Sequence, residues 1–381
     1  MKHYDYIICG AGCAGMSLAY RLSDPAFADK SILIIEKAEK KQNDRTFCHW
    51  SKKPGLYDPI LHTKWSKVQY ISDRLDKELD IAPYEYKMIR GEDFYKFNLE
   101  KILKTKHIEY VQAEINSVEN STNQAIVRTN NESYTADVVF KSFTTGKIDF
   151  KNDLHVIQHF KGWFVKTENP AFDAHKATFM DFSIAQNGET RFMYVLPWSS
   201  TEALVQLAIF SHALLSDEAY DKILTDYSSN NLALGKFEIT EVEKGAIPMT
   251  TYDFHQHDEA HIVHIGTGAG IVKPSSGFAF RRVQQHSEAI INCIEKNIHP
   301  SKAQSVFKTK YKFFDKIFLN ALLTDKASGQ DVFNRMFDKL NPQLIFEFLD
   351  EETTFLQELK LFTAPPTLPF IKGFFEEILK K

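Results

Sequence analysis

Cysteine is scarce. The chain of 381 residues holds 4, Cys9, Cys13, Cys48 and Cys293, with neither the paired spacing of a zinc site nor the density of a disulfide scaffold. A reducing compartment is therefore expected. No apolar run approaches the roughly 20 residues of a membrane-spanning helix, and the opening residues lack the charged, apolar and small-residue regions of a signal peptide. A cytoplasmic protein, or one peripheral to a membrane, is expected. Neither sign of charge dominates: 46 Lys+Arg stand against 50 Asp+Glu, a net charge of -4. With no long basic run, nucleic acid is not expected as a partner. Gly 16 and Pro 13 are too few for a low-complexity chain. What is in excess is phenylalanine. The 31 Phe and an aromatic fraction of 13% exceed what an ordinary core needs, as a chain with an apolar ligand cavity would. The length predicts one large or two intimately joined domains.

The first forty residues read as a βαβ unit. Tyr6-Ile7-Ile8-Cys9 is a short apolar run, Met16 to Leu22 is helix-forming, and Ser31 to Ile35 is a second buried strand ending at Glu36. Between strand and helix lies Gly10-Ala11-Gly12-Cys13-Ala14-Gly15, a G-x-G-x-x-G where a dinucleotide fingerprint requires it. Gly10 permits the tight turn, Gly12 lets backbone approach a pyrophosphate, and Gly15 lets helix and strand pack closely. Glu36 is placed to accept ribose hydroxyls, which favours FAD or NAD over NADP. A second glycine cluster, Gly266-Thr267-Gly268-Ala269-Gly270, follows the strand His261 to Ile265 and leads through Lys273-Pro274-Ser275-Ser276-Gly277 into a helix, Phe278 to Lys296. Such a second contact suits a large flavin cofactor.

Between these anchors, Glu109 to Val111, Gln124 to Thr129 and Asp137 to Phe140 read as a meander and a returning core strand. Phe160 to Lys166, Ala177 to Ile184, Thr190 to Leu196 and Ala203 to Phe210 read as strands of a second, antiparallel sheet. Beyond residue 300 the spacing turns helical, over Phe307 to Leu323, Val332 to Leu340 and Leu344 to Leu361, and Phe370 to Lys381 reads as a short amphipathic helix. The expected class is α/β: a discontinuous Rossmann-like domain (1–70, 93–150, 246–300), an antiparallel substrate domain (71–92, 151–245) and a helical C-terminal region (301–381).

Taken together, the motifs resemble the lycopene cyclase family, bacterial β-cyclase type. Besides the fingerprint, Asn43 to Trp50 is similar to its N-x-R-T-[WF]-C-x-W segment and Tyr86 to Tyr95 to its Y-x-x-I-R-x-x-D-F-Y segment. Further similar stretches are Phe160 to Trp163, Met180 to Phe182, Phe192 to Pro197, Gly245 to Met249 and Phe348 to Thr353, in the same order along the whole chain. The resemblance implies an FAD enzyme, active with reduced flavin and drawing electrons from NAD(P)H. It implies closure of the ends of lycopene, or a related linear carotenoid, into β-ionone rings without net oxidation, at a membrane surface. The chemistry asks for an acid kept protonated in an apolar pocket, a shielded cation and a base. The alternatives from the residues are a divergent redox flavoenzyme, a polyene reductase or monooxygenase, or a catalytically altered cyclase homologue.

One departure stands out. Where the family carries its catalytic glutamate, Ala203 to Ala208 places Gln206, which has no carboxyl proton to donate. The acid has moved to Glu202, Asp181 or another carboxylate, the reduced flavin supplies the proton, or the activity is altered. Arg45 and Arg90 are either flavin contacts or structural partners of Asp44 or Asp93. Trp50, Trp163, Trp198, Phe182 and Tyr194 are either tunnel walls or ordinary core. Asp181, among apolar neighbours, is a shifted acid or a hydrogen-bonded structural group. Glu351 and Glu352 are read as part of a helix, structural or gating. His261 and His264 fall on opposite strand faces and no metal site is expected. Cys13, beside a helix N-terminus, sits where a thiolate is favoured.

Overall fold

The computed structural model describes residues 1–144, 148–150, 153–323 and 327–379, with backbone alone for 367, 368, 378 and 379. Ile32–Glu36 is buried along its whole length, the signature of an interior parallel strand. It pairs in parallel with Lys2–Cys9 on one side and Ile108–Gln112 on the other. Lys2–Cys9 pairs in parallel with Ser133–Lys141, whose last residues pair in parallel with Ile262–His264. Parallel neighbours need a crossover, and the helix Cys13–Leu22 supplies it between the first two strands. Glu109 to Val111 therefore lies at the outer edge of the parallel core. The meander is built instead from Ile115–Asn120, Ala125–Thr129 and the start of Ser133–Lys141.

The second sheet runs Phe237–Thr250, His155–Thr167, Glu202–Ser211, Thr190–Pro197, Lys176–Asp181, Lys67–Ile71, Asp76–Asp80. All its pairs are antiparallel except Lys67–Ile71 with Lys176–Asp181, which is parallel. Residues on both sides of the expected division at 70 thus share one sheet. Phe237–Thr250 was not among the anticipated strands; it is an edge strand and most of its charged side chains are exposed. One face of this sheet is covered by the helix Asp217–Asn230, started by Ser216, whose hydroxyl accepts the Ala219 amide. The other face looks toward the dinucleotide-type half and the C-terminal helices. A small sheet of Thr46–Ser51, Glu85–Arg90 and Thr63–Trp65 fills the junction.

The C-terminal part is helical, as expected, but the run Leu344 to Leu361 is two helices, Pro342–Leu349 and Phe355–Phe362. Thr354 caps the second through a capping box with Gln357, a Thr-x-x-Gln signal present in the sequence and overlooked. In the break Glu351 takes φ 63 and is buried, outside both helices rather than part of one. Its carboxylate is paired with Lys273 (3.4 Å) and with Arg282. Lys273, also buried, lies 3.2 Å from Asp315 on the helix Thr309–Leu323. Asp350 beside it accepts the Trp50 indole N–H at 2.9 Å. Arg281, 2.7 Å away, favours its charged form, yet burial wins and holds the carboxyl up at about 7.

Lys273 joins the second glycine segment to two C-terminal elements, so removing it strands buried carboxylates. Lys273→Ala is expected to cost about 3–5 kcal/mol, as unpaired buried charges do, read as a lower midpoint in urea unfolding. A shift within the range of surface substitutions would show that the network does not clamp the helices.

Candidate functional site

The glycine loop is shaped from within. Gly10 has φ +98, and a Cβ on Gly15 would sit 1.9 Å from the Gly10 carbonyl oxygen, so the helix enters against bare backbone. Gly12 is different: a Cβ there meets nothing within 4 Å, and the residue faces a cleft of about 680 Å³. Arg45, Gly266, Gly268, Ser276 and Gly277 line the same cleft, so the two glycine clusters far apart in sequence meet there. Gly270 instead turns against the Phe254 ring. Pro274 is not among the described residues that line the cleft. Glu36 braces the loop, its carboxylate accepting the Ala11 amide at 2.7 Å and the Ala38 amide at 3.0 Å. Glu36 is not among the described residues that line the cleft.

Arg90 does not line the cleft. It pairs with Glu241 at 2.6 Å and lies over the Phe164 ring, partners other than the Asp44 and Asp93 anticipated. Cys13 lines the cleft, but burial pushes its thiol up to about 12, against the thiolate that its place near a helix N-terminus suggested. His264 binds Asp258 and His261 the Asp137 carbonyl. Two buried polar atoms on the cleft wall, Gln158 Oε1 and Ser276 Oγ, have no hydrogen-bond partner among the described residues. Buried polar groups are almost always satisfied, so these suit a polar ligand in the cleft. Backbone cradle, helix N-terminus and orphaned polar atoms together fit a dinucleotide such as FAD.

The floor of the cleft is the second sheet. Cross-strand pairing places Tyr194, Gln206, Gly162 and Glu243 in one row, and directly opposed residues share a face. Tyr194, Gln206 and Glu243 all line the cleft. Gly162 keeps the row open, since a Cβ there would lie 3.0 Å from that of Gln206. Gln206 is thus aimed into the cavity, with Ala208 beside it. The other two candidates for the acid are elsewhere. Asp181 is buried on the opposite side of its strand, accepting the Tyr227 hydroxyl at 2.6 Å and the Ser183 amide at 2.8 Å. Glu202 is partly exposed at a strand end, 3.9 Å from Lys166. The cavity carboxyl that sequence reading missed is Glu243, buried, with Thr46 donating to both its oxygens. It was hidden in an edge strand whose neighbouring acidic residues point to solvent.

At Tyr194, Ser276 and Phe278 the cleft meets a second cavity of about 260 Å³, walled almost wholly by rings and aliphatic side chains. Its walls come from the second sheet (Phe179, Phe192, Phe210) and from the C-terminal helices (Phe314, Phe337, Phe370). Of the five aromatic candidates only Tyr194 lines it. Trp163 packs behind the sheet, Trp198 against His62 and Phe164, Phe182 in the adjoining core, and Trp50 between Phe278 and Phe346.

Gly12→Val tests the cradle. Because a Cβ at Gly12 has open space, the apo fold should keep its melting temperature, while side-chain bulk where a pyrophosphate approaches lowers dinucleotide affinity roughly tenfold or more. Unchanged FAD retention after gel filtration would place the phosphates elsewhere.

No curated protein matches the sequence. In three dimensions the chain is similar to a geranylgeranyl bacteriochlorophyll reductase-like protein from Thermoplasma acidophilum, with TM-score 0.70 and 15% identity over 98% of each chain. It is also similar to a flavoprotein/dehydrogenase from Cytophaga hutchinsonii, with TM-score 0.67 and 10% identity over 100% of each. A third likeness is to p-nitrophenol 4-monooxygenase from Pseudomonas putida DLL-E4, with TM-score 0.62 and 13% identity over 96% of this chain and 99% of that one. At such identities these likenesses establish the fold alone, one shared with the flavoprotein/dehydrogenase and the monooxygenase. The family model described as lycopene cyclase protein matches residues 5–373, nearly the whole length, and the chain belongs to that family.

Proposed function

We propose that the protein is an FAD-dependent lycopene β-cyclase, an isomerase that closes the end of a linear carotenoid into a β-ionone ring, giving γ- and then β-carotene. The observation that carries this reading is the junction of the two cavities: a ring-lined apolar cavity and the dinucleotide-type cleft share Tyr194, Ser276 and Phe278 as common wall. An apolar chain threaded there presents its end to the cleft and keeps its length out of water. FAD would be held by the Gly10–Gly15 loop, Arg45 and the Gly266–Gly277 segment, and when reduced, with NAD(P)H as electron source, it supplies an electron-rich face that stabilises a nearby cation. The chain's own part is to exclude water with the rings of Tyr194, Phe160 and Phe278 and to stabilise positive charge through their faces.

Expressed in a lycopene-accumulating host, the protein is expected to yield cyclic product of unchanged mass. The second reading, a polyene reductase, is favoured by the likeness to the reductase-like protein. It predicts a product two hydrogens heavier, and a monooxygenase predicts one oxygen heavier. Either mass change would replace the cyclase assignment.

Among the described residues no helix is long and apolar enough to cross a membrane, yet a carotenoid resides in a bilayer. Thr367–Leu379 is the helix expected near the C-terminus, and one face packs on Thr309–Leu323 through Phe370 and Phe374. Ile371 and Phe375 remain exposed, as do Phe355 and Leu356 on Phe355–Phe362. The side chain of Ile378 and residues Lys380 and Lys381, part of the expected amphipathic face, lie outside the described residues. Phe362, Ile371 and Phe374 line the tunnel, so this apolar surface, with Lys360 and Lys372, rims its outer side and suits an interface. This supports a peripheral membrane protein. Replacing Phe355, Leu356 and Phe375 by serine should reduce liposome co-sedimentation roughly tenfold with FAD content unchanged; undiminished sedimentation would leave those side chains without a membrane role.

A further inference from the structure

The row Tyr194, Gln206, Gly162, Glu243 faces the cavity, and the one member with a proton to give from a carboxyl group is Glu243. We propose that Glu243 is the acid of this site, the protonated carboxyl that delivers a proton to an alkene held over the row, in place of the side chain that Gln206 cannot supply. The proposal rests on the cyclase reading for its substrate, but the state of Glu243 is a separate matter and can be measured separately.

The geometry assigns this role on three grounds. First, location: Glu243 lies two strands from Gln206, roughly 10 Å at the usual strand spacing, on the same face, and Gly162 puts no side chain between them. Second, surroundings: the residue is buried, and the walls beside it are Phe160 and Gly245. Desolvation raises its carboxyl above the usual range; hydrogen bonds from Thr46 and the charges of Arg45 and Arg90 pull the other way without cancelling it. Arg90 is itself paired with Glu241, and Arg45 donates to the Asp44 carbonyl, so neither guanidinium is paired with Glu243. Third, the hydrogen-bond pattern: Thr46 Oγ1 lies 2.5 Å from Glu243 Oε2. A hydroxyl oxygen accepts as well as donates, so the same contact holds a protonated carboxyl in a fixed orientation.

The step balances without a co-reactant. The carboxyl O–H breaks as a C–H bond forms at the terminal alkene, leaving a tertiary cation. The electron pair of the next alkene closes the ring by a new C–C bond. An adjacent ring C–H then returns its proton to the carboxylate, giving an isomer. Nothing is oxidised or reduced.

The test uses the FAD-loaded protein and Glu243→Gln, whose amide keeps the size and the contacts to Thr46. Wild type minus variant infrared difference spectra at neutral pH should show the carbonyl stretch of a protonated carboxylic acid. In the lycopene-accumulating host the variant should lose roughly 100-fold or more of the cyclic product, the usual range for general acid catalysis. A missing carbonyl band, or cyclisation by Glu243→Gln at the wild-type rate, overturns the proposal. If wild type forms no cyclic product the cyclase reading fails, while the band still decides the protonation of Glu243. If Glu243→Gln loses FAD, Thr46→Val is compared instead. It keeps the carboxyl and removes its hydroxyl partner, so the band must shift; an unmoved band overturns the assignment.

Discussion

A buried ammonium group cannot stand alone in a protein interior, and much of this structure follows from how Lys273 is satisfied. Its partners, Asp315 and Glu351, come from a helix and from the break between two others. Lys273 itself begins the turn that carries Ser276 and Gly277 to the cleft and Phe278 to the tunnel. Desolvation makes each of these charges costly by itself and tolerable only as a set. The requirement to keep them together therefore fixes the C-terminal helices against the dinucleotide-type half, and with them the far wall of the tunnel. Arg282 on Glu351 and Arg281 on Asp350 extend the same clamp along the helix Phe280–Glu295.

The two cavities divide the labour by polarity. The cleft combines glycine backbone, Arg45 and the orphaned Gln158 and Ser276 atoms, which suit a polar, phosphate-bearing ligand. The tunnel is lined by rings, and the helices that wall its outer side carry exposed apolar side chains. Chemistry on an alkene needs both: an acid strong enough to protonate carbon and surroundings dry enough to keep water from the cation. A floor in which Gln206 is neutral and Glu243 is desolvated serves that combination.

Much of this was legible in the residues. The G-x-G-x-x-G between a buried strand and a helix has only one common physical use, and the return of glycine near residue 266 pointed to the second wall of the same cleft. Gln206 shares its face with Ala208, as period-two alternation along a strand dictates. The helix break was legible too, in the Thr354 and Gln357 pair, and was missed because the apolar spacing on either side is in phase. Asp181 shows the opposite case: its apolar neighbours in sequence left a cavity acid and a hydrogen-bonded structural group both open, and packing decides for the second, since Met180 and Phe182 point one way and Asp181 the other, to Tyr227.

By itself, the sequence determined the parallel core, the fingerprint loop, the second sheet and the helical end, because each is written in local periodicity and in glycines that backbone geometry demands. Only the tertiary structure decided which carboxylate faces the cavity, which rings line the tunnel and which charges are buried. Those depend on register across strands far apart in the chain: Gln206 meets Glu243 only through Gly162, and Lys273 meets Glu351 only when the C-terminal helices fold back. A strand's alternation says which residues share a face, but which face is covered, and by what, is settled by packing.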